Sequence, residues 1–238
     1  MDNLTFSFKK FKVNHGKSSM KVGVDAVLLG AWVSVENVRE ILEIGVGCGV
    51  ISLIIAQRNP DAKILGIDID PPSIDEAGTN FHNSAWHDNL SAKLLKFPED
   101  LDIDHKFDLI VSNPPYFDSG FSNPSTSREI ARHQGFLSVF SIIEHAGDFL
   151  NPGGRVSMIF PMEFIDRVIE KVEDKGLTVT RICSVRNNPN RPEKRVMIDI
   201  KNDSDRCKDI VRESLVLFEN GVPTEHYSNL CHDLYLKF

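Results

Sequence analysis

The chain has 238 residues, with 27 Lys plus Arg against 34 Asp plus Glu, so its formal net charge is −7. Hydrophobic residues make up 41% and charged residues 26%, an ordinary globular mix that excludes a disordered, collagen-like or coiled-coil chain. An acid excess spread evenly would also argue against a polyanionic partner, so the placement of the charges decides that question.

Residues 1–39 precede the first core strand and are expected to be an extension that packs on the main domain, residues 40–238. Glu40 to Ile44 is a short apolar run that reads as a buried strand. Gly49 to Arg58 continues as an apolar helix, stopped by Asn59-Pro60. Ala62 to Asp68 predicts a second strand, and Pro71 to Asn83 a helix whose first turn accommodates Pro71-Pro72. Ser91 to Leu95 is a weak third strand and Phe107 to Ser112 a clear fourth. Leu137 to Leu150 predicts a helix, and Asn151-Pro152-Gly153-Gly154 a turn. Arg155 to Phe160 is a fifth strand, and Glu163 to Lys175 has helical spacing up to Gly176. Leu177 to Val185 and Val196 to Ile200 read as late strands, and Asp203 to Asn220 as a late helix. Strands alternating with helices predict an α/β fold, a Rossmann-like, mostly parallel open sheet covered on both faces.

No run reaches the ~18 apolar residues of a membrane span. The N-terminus, MDNLTFSFKKFKVNHG, lacks the apolar core and cleavage site of a secretory leader. Cys48, Cys183, Cys207 and Cys231 lie far apart and form no CxxC pair. That predicts neither a metal site nor a disulfide framework and fits a reduced cytoplasmic setting.

Two motifs carry chemistry. Glu43-Ile44-Gly45-Val46-Gly47-Cys48-Gly49 follows a strand and opens a helix. Such glycines let the backbone approach a ligand, and the helix N-terminus behind them offers unpaired N–H groups. The spacing is GxGxG, not the GxGxxG of dinucleotide enzymes, and no Lys-Ser/Thr of a P-loop follows. Asp68 ends the next strand, where an acid can accept both ribose hydroxyls of a nucleoside cofactor, with Asp70 as the nearby alternative. This pattern resembles the class I S-adenosylmethionine-dependent methyltransferases. The resemblance implies that Gly45, Gly47 and Gly49 wrap the cofactor, that Glu43 is the acid before the loop, and that Asp68 holds the ribose. Phe97 would then pack on the cofactor adenine, with Glu99 or Asp100 near its amine, although an exposed acidic loop is the plainer reading of that segment.

The second motif, Ser112-Asn113-Pro114-Pro115-Tyr116, follows the fourth strand. Two prolines stiffen a loop in which a side-chain oxygen and a backbone carbonyl must aim at one target. NPPY here is similar to the motif of methyltransferases acting on adenine, cytosine or glutamine nitrogens. The resemblance implies that Asn113 and Pro114 accept the N–H groups of the target amine and stabilise charge building on nitrogen. Pro115 keeps the loop stiff, Tyr116 stacks on the planar target, and Phe117 assists.

Lys21 to Trp32 (KVGVDAVLLGAW) and Ser127 to His133 (SREIARH) flank these motifs. Together with NPPY they resemble the bacterial tRNA(Val) adenine-37 N6-methyltransferase family, over Phe8 to about Ile200. Val24 stands where that family carries Thr. The resemblance implies a tRNA substrate, S-adenosylmethionine as cofactor, a monomer, and Asp25 beside the cofactor, unless Asp25 is only a solvated helix residue. Three other readings remain: a release-factor glutamine methyltransferase, a nucleotide-dependent oxidoreductase, and a noncatalytic RNA-binding module. The first lacks room for its usual N-terminal helical domain, since the glycine loop begins by Gly45.

Basic residues gather in two runs. Lys9, Lys10, Lys12, Lys17 and Lys21 carry no acid between them and interleave with Phe6, Phe8 and Phe11. Arg181, Arg186, Arg191, Lys194 and Arg195 form the second, broken by Glu193. Lys9, Lys10 and Lys12, with Arg128, Arg132 and His133 just after NPPY, are the candidate RNA contacts, phosphates taking the cations and bases the rings. Most charge runs are simply solvated surface. Acid concentrates instead in Glu99, Asp100, Asp102, Asp104 and Asp108, so the net charge does not exclude RNA.

Overall fold

The computed structural model describes residues 4–18, 20–114, 138–202 and 209–237. Two short strands, β1 (Thr5–Ser7) and β2 (Lys12–Asn14), form an antiparallel hairpin ahead of helix α1 (Val24–Trp32). The apolar runs that follow become β3 (Glu40–Ile44), β4 (Lys63–Asp68), β5 (Leu90–Leu94), β6 (Phe107–Ser112), β7 (Leu150–Pro161), β8 (Thr178–Arg186), β9 (Arg195–Lys201) and β10 (Val211–Val216). These eight form one sheet in the order β10-β8-β9-β7-β6-β3-β4-β5. Only β9 runs antiparallel to its neighbours. The chain winds from β3 through β4 to β5, then returns to β6 on the other side of β3. A crevice forms beyond the strand carboxyl ends at such a reversal, and open α/β sheets bind ligands there.

The helices are α2 (Val50–Arg58), α3 (Pro71–His82), α4 (Val139–Phe149), α5 (Ile165–Asp174) and α6 (Glu225–Cys231). Strand side chains alternate between faces, and β3 shows it. Ile41 joins an apolar cluster with Leu28, Leu29, Leu53 and Ile54, while Leu42 joins another with Ile142, Ile143, Val168 and Val172. So α1 and α2 cover one face, and α4 and α5 the other. Asp70 caps α3, accepting from the Ser73 N–H, and Ser138 and Ser141 cap α4 reciprocally.

Three expectations are corrected. The described part of the expected late helix, 209–220, is extended: β10 pairs in parallel with β8, and β11 (Phe218–Glu219) forms a hairpin with β12 (Val222–Pro223). Tertiary pairing overrides the helix-like pattern there. Glu213 takes the Trp32 indole N–H at 2.8 Å and pairs with Arg181 at 3.0 Å, so its polarity serves a sheet edge. The segment Asn151-Gly154 is a bulge inside β7 rather than a turn before it: Phe107 pairs with Leu150, but Leu109 pairs with Arg155. Third, Phe8 and Phe11, at 4% and 7% exposure, belong to the core, stacked on each other and close to Tyr235 and Trp86. They are not available for base stacking. Among the described residues no helix is long and apolar enough to cross a membrane.

Candidate active site

Beyond Ile44 the chain turns through Gly45, Gly47 and Gly49, whose φ angles are +76°, +50° and +80°. Residues with a side chain are strained in that region. The N–H groups of Gly45 and Val46 both donate to the Ile67 carbonyl, at 2.9 and 3.0 Å, which stitches the loop to the end of β4. Gly49 is needed for packing as well: a Cβ there would lie 2.5 Å from the Phe81 ring. Gly47 differs, because among the described residues a Cβ there would meet nothing within 4 Å. The loop backbone is therefore open to a ligand at Gly47.

Asp68, the last residue of β4, accepts the Gly47 N–H at 3.0 Å through one oxygen and the Asp70 N–H at 3.1 Å through the other. Each oxygen retains a further lone pair. One Asp70 oxygen takes the Ser73 hydroxyl at 2.6 Å and its N–H at 3.2 Å, capping α3. Asp68 is the acid that bonds the glycine loop directly, through the Gly47 N–H. Glu43 is 1% exposed and accepts both the N–H, at 2.9 Å, and the hydroxyl of Ser52 on α2. Burial pushes its carboxyl up to about 8, against the pull of those Ser52 bonds. Its contacts fix the strand-to-helix turn from beneath.

The second motif reaches the same place. β6 lies directly beside β3, Val111 paired with Glu43, and the buried Ser112 hydroxyl donates to the Ile44 carbonyl at 2.7 Å. Half-buried Asn113 and buried Pro114 follow at once. Asn113-Pro114, which open the NPPY motif, and the glycine loop thus leave adjacent strands from one hydrogen-bonded junction. Pro115, Tyr116, Phe117, Arg128, Arg132 and His133 lie outside the described residues.

The other candidates are occupied within the protein. Arg195 takes the Asp25 carboxylate in an ion pair. Phe97 packs with Phe149 at 5.6 Å and His145 at 6.3 Å. Glu99 pairs with Lys96 at 2.8 Å, and Asp100 accepts the Lys96 N–H at 2.9 Å. In the first basic run, Lys10, Lys12, Lys17 and Lys21 are exposed, whereas the Lys9 ammonium donates to the His232 carbonyl at 2.5 Å. The second run is largely consumed: Arg181 pairs with Glu213, Arg186 with Glu193 at 2.5 Å, and Arg195 with Asp25.

Two residues escaped the sequence reading. Buried Asn80 on α3 donates to the Cys48 carbonyl of the glycine loop and to the Asn14 carbonyl of β2, both at 2.8 Å, and accepts the Asn14 N–H at 2.9 Å. Glu76, one turn earlier, accepts the N–H groups of Gly16, Lys17 and Ser18 at 2.7, 2.9 and 2.8 Å. Burial alone would raise its carboxyl, but these three donors hold it below the usual range. Together they moor the hairpin to the loop. Their four-residue spacing on a predicted helix was the only signal in the sequence.

The sheet order, the glycine loop at its reversal and the acid ending β4 define a class I S-adenosylmethionine-dependent methyltransferase. Solved structures agree on the fold. A predicted O-methyltransferase of Agrobacterium tumefaciens superposes with a TM-score of 0.65 at 18% identity, covering 88% of this chain and 96% of its own. P. horikoshii TYW2, in complex with MeSAdo, gives 0.58 at 14% identity, covering 83% and 70%. Residues 18–168 match the methyltransferase small domain family. The chain is 37% identical over 99% of both lengths to the tRNA1(Val) (adenine(37)-N6)-methyltransferase of Bacteroides thetaiotaomicron. It is 36% identical to the protein of that name in Phocaeicola vulgatus, over the full length of both. The counterpart in Vibrio vulnificus is 32% identical over 98% of this chain and 95% of its own. The chain belongs to this tRNA1(Val) (adenine(37)-N6)-methyltransferase family.

Proposed function

We propose that the chain transfers a methyl group from S-adenosylmethionine to the exocyclic N6 of an adenine in tRNA, with adenine 37 of tRNA1(Val) as its target. The observation that carries this reading is the junction of Ser112 with Ile44, which sets Asn113-Pro114 beside the glycine loop. The site fits the cofactor: the loop is open at Gly47, and a strand-end carboxylate with spare acceptor capacity faces it. Gly45, Gly47 and Gly49 would line its methionine end, Asp68 would take the ribose hydroxyls, and Glu43 would hold the loop from below. When bound, S-adenosylmethionine supplies an electrophilic methyl group on a sulfonium.

The chain's own residues answer the other half of the problem. The N6 lone pair of adenine is delocalised into the ring, so it is a poor nucleophile. The Asn113 side-chain oxygen and the Pro114 carbonyl accept one N–H each, which favours a pyramidal nitrogen. Accepting the methyl group would build positive charge on N6, and the two oxygens of Asn113 and Pro114 would stabilise it. The nitrogen then sheds one proton to water. Tyr116 stacks on the adenine, which must leave its own stack to enter. Exposed Lys10 and Lys12 on the hairpin contact RNA phosphates, with Arg128, Arg132 and His133 near the target. The protein acts as a cytoplasmic monomer. Labelled methyl donor is incubated with total tRNA from cells lacking the gene, followed by nucleoside analysis. Labelled N6-methyladenosine is expected; label only in protein glutamine would refute the reading.

A further inference from the structure

A cleft of about 380 Å3 opens on the carboxyl edge of the sheet, lined by none of the glycine-loop residues, Asp68 or Asn113. Val24 at the start of α1, Asn187 and Asn188 after β8, Arg195 at the start of β9, and Phe218 and Gly221 form its walls. Those walls are held firmly. The Leu217 and Phe218 N–H groups donate to the Arg186 and Asn187 carbonyls at 3.0 and 2.9 Å, extending the β10–β8 ladder past both strand ends. The Lys194 N–H donates to the Val185 carbonyl at 3.1 Å, and its carbonyl accepts the Met162 N–H at 3.0 Å, pinning the β8–β9 turn to β7. Phe218 rides on a two-residue hairpin whose Asn220-Gly221 corner has φ of +50° and +81°, the conformation that Asn-Gly favours.

The chemistry of the walls selects the occupant. Phe218 is 39% exposed although its ring also packs at 5.8 Å from Tyr227, and Val24 is 40% exposed. The Arg195 guanidinium is neutralised by Asp25 and also donates to the Asn187 side-chain oxygen at 2.7 Å. A phosphate therefore gains little here. A neutral planar ring with hydrogen-bonding edges matches better, because single-stranded bases stack on aromatic rings and pair with amide side chains. The position suits such a ligand. Met158 of β7 pairs with Ser112 of β6, and Pro161, three residues further along β7, pairs with Arg195 of β9. Three residues along and two strand spacings across place Arg195 about 14 Å from Ser112, on the same edge of the sheet as Asn113.

We infer that this cleft seats an unstacked nucleobase neighbouring the target adenine, with Phe218 against its face and the Asn187 and Asn188 amides at its edge. The inference rests on the RNA substrate proposed above. Its test uses the full chain, labelled methyl donor and the anticodon stem-loop of tRNA1(Val). Wild-type protein that labels neither the stem-loop nor full-length tRNA1(Val) overturns the RNA reading and this inference with it; if only the full-length tRNA is labelled it replaces the stem-loop below, and labelling isolates the cleft as the variable. Phe218→Leu keeps an apolar side chain against Tyr227 but removes the ring, and Val24→Trp fills the cleft from another wall. Each raises KM for the stem-loop about tenfold, the loss of one stacked base, while kcat stays within about twofold. Phe218→Tyr keeps the wild-type KM. Melting curves check the fold, and Val24→Trp alone decides if the Phe218 variants do not fold. A KM within about twofold of wild type for Phe218→Leu and Val24→Trp would overturn the inference.

Discussion

Gly47 is the proposed point of cofactor approach, whereas Gly49 of the same loop packs against Phe81. Both sit at positive φ, +50° and +80°, so Ala at either position is strained by about 1–2 kcal/mol. At Gly47 the added methyl meets nothing within 4 Å among the described residues, so the strain is the main cost to folding. For a domain of this size, Gly47→Ala should lower the melting temperature by about 2–8 °C. At Gly49 the methyl would lie 2.5 Å from the Phe81 ring, whose displacement adds about 1–3 kcal/mol. Affinity runs the other way. In the proposed placement of the cofactor the methyl of Gly47→Ala enters its space, so S-adenosylmethionine binding weakens by at least about tenfold, a loss of about 1.4 kcal/mol. Differential scanning calorimetry gives the stability order, and titration calorimetry gives the affinities. Wild-type cofactor affinity in Gly47→Ala, with the protein folded, would refute the placement of the cofactor at this loop.

The remaining predictions concern groups around that loop. Glu43 titrates near 8 when folded and near 4.5 when unfolded. Below about 4.5 both forms carry the proton; as pH rises to 8 the unfolded chain releases it first, so this group costs stability over that window. Glu43→Gln should remove that decline in melting temperature between pH 5 and 8, and an unchanged pH slope would contradict the buried, proton-holding carboxyl. Glu76→Ala strands the three N–H groups of Gly16, Lys17 and Ser18 and should cost about 3 kcal/mol, with faster hydrogen exchange at those amides. Exchange unchanged from wild type would show that something else holds the segment. Lys10→Glu with Lys12→Glu should weaken tRNA binding and flatten its salt dependence while leaving cofactor affinity intact; unaltered tRNA affinity would remove the hairpin from the interface.

The sequence was most readable where local pattern and fold agree. The run Glu40–Ile44, the GxGxG loop and Asp68 announced a strand, a turn and a second strand end because buried parallel strands are continuous apolar runs. Ser112-Asn113-Pro114 could be placed beside that loop only through strand order, which sequence spacing does not encode. Charge was the least legible feature. Arg181, Arg186 and Arg195 read as a basic surface, yet each meets an acid distant or near in sequence: Glu213, Glu193 and Asp25. Phe8 and Phe11 read as stacking partners for bases, yet their neighbours Trp86 and Tyr235 come from elsewhere in the chain and bury them. β10 was misread because its polar residues serve contacts to Trp32 and Arg181 that only the folded sheet creates.

The central claim is that Asn113, leaving β6 beside the glycine loop, presents an adenine N6 of tRNA for methylation. The most direct test incubates unmodified tRNA1(Val) with labelled S-adenosylmethionine and either wild-type protein or Asn113→Ala, then maps the label by oligonucleotide mass spectrometry. The account predicts a single methyl on N6 of adenine 37 with the wild type, and transfer slowed about 10²–10³-fold in Asn113→Ala with cofactor affinity retained. Label on another nucleotide, no label in tRNA, or wild-type turnover by Asn113→Ala would contradict it.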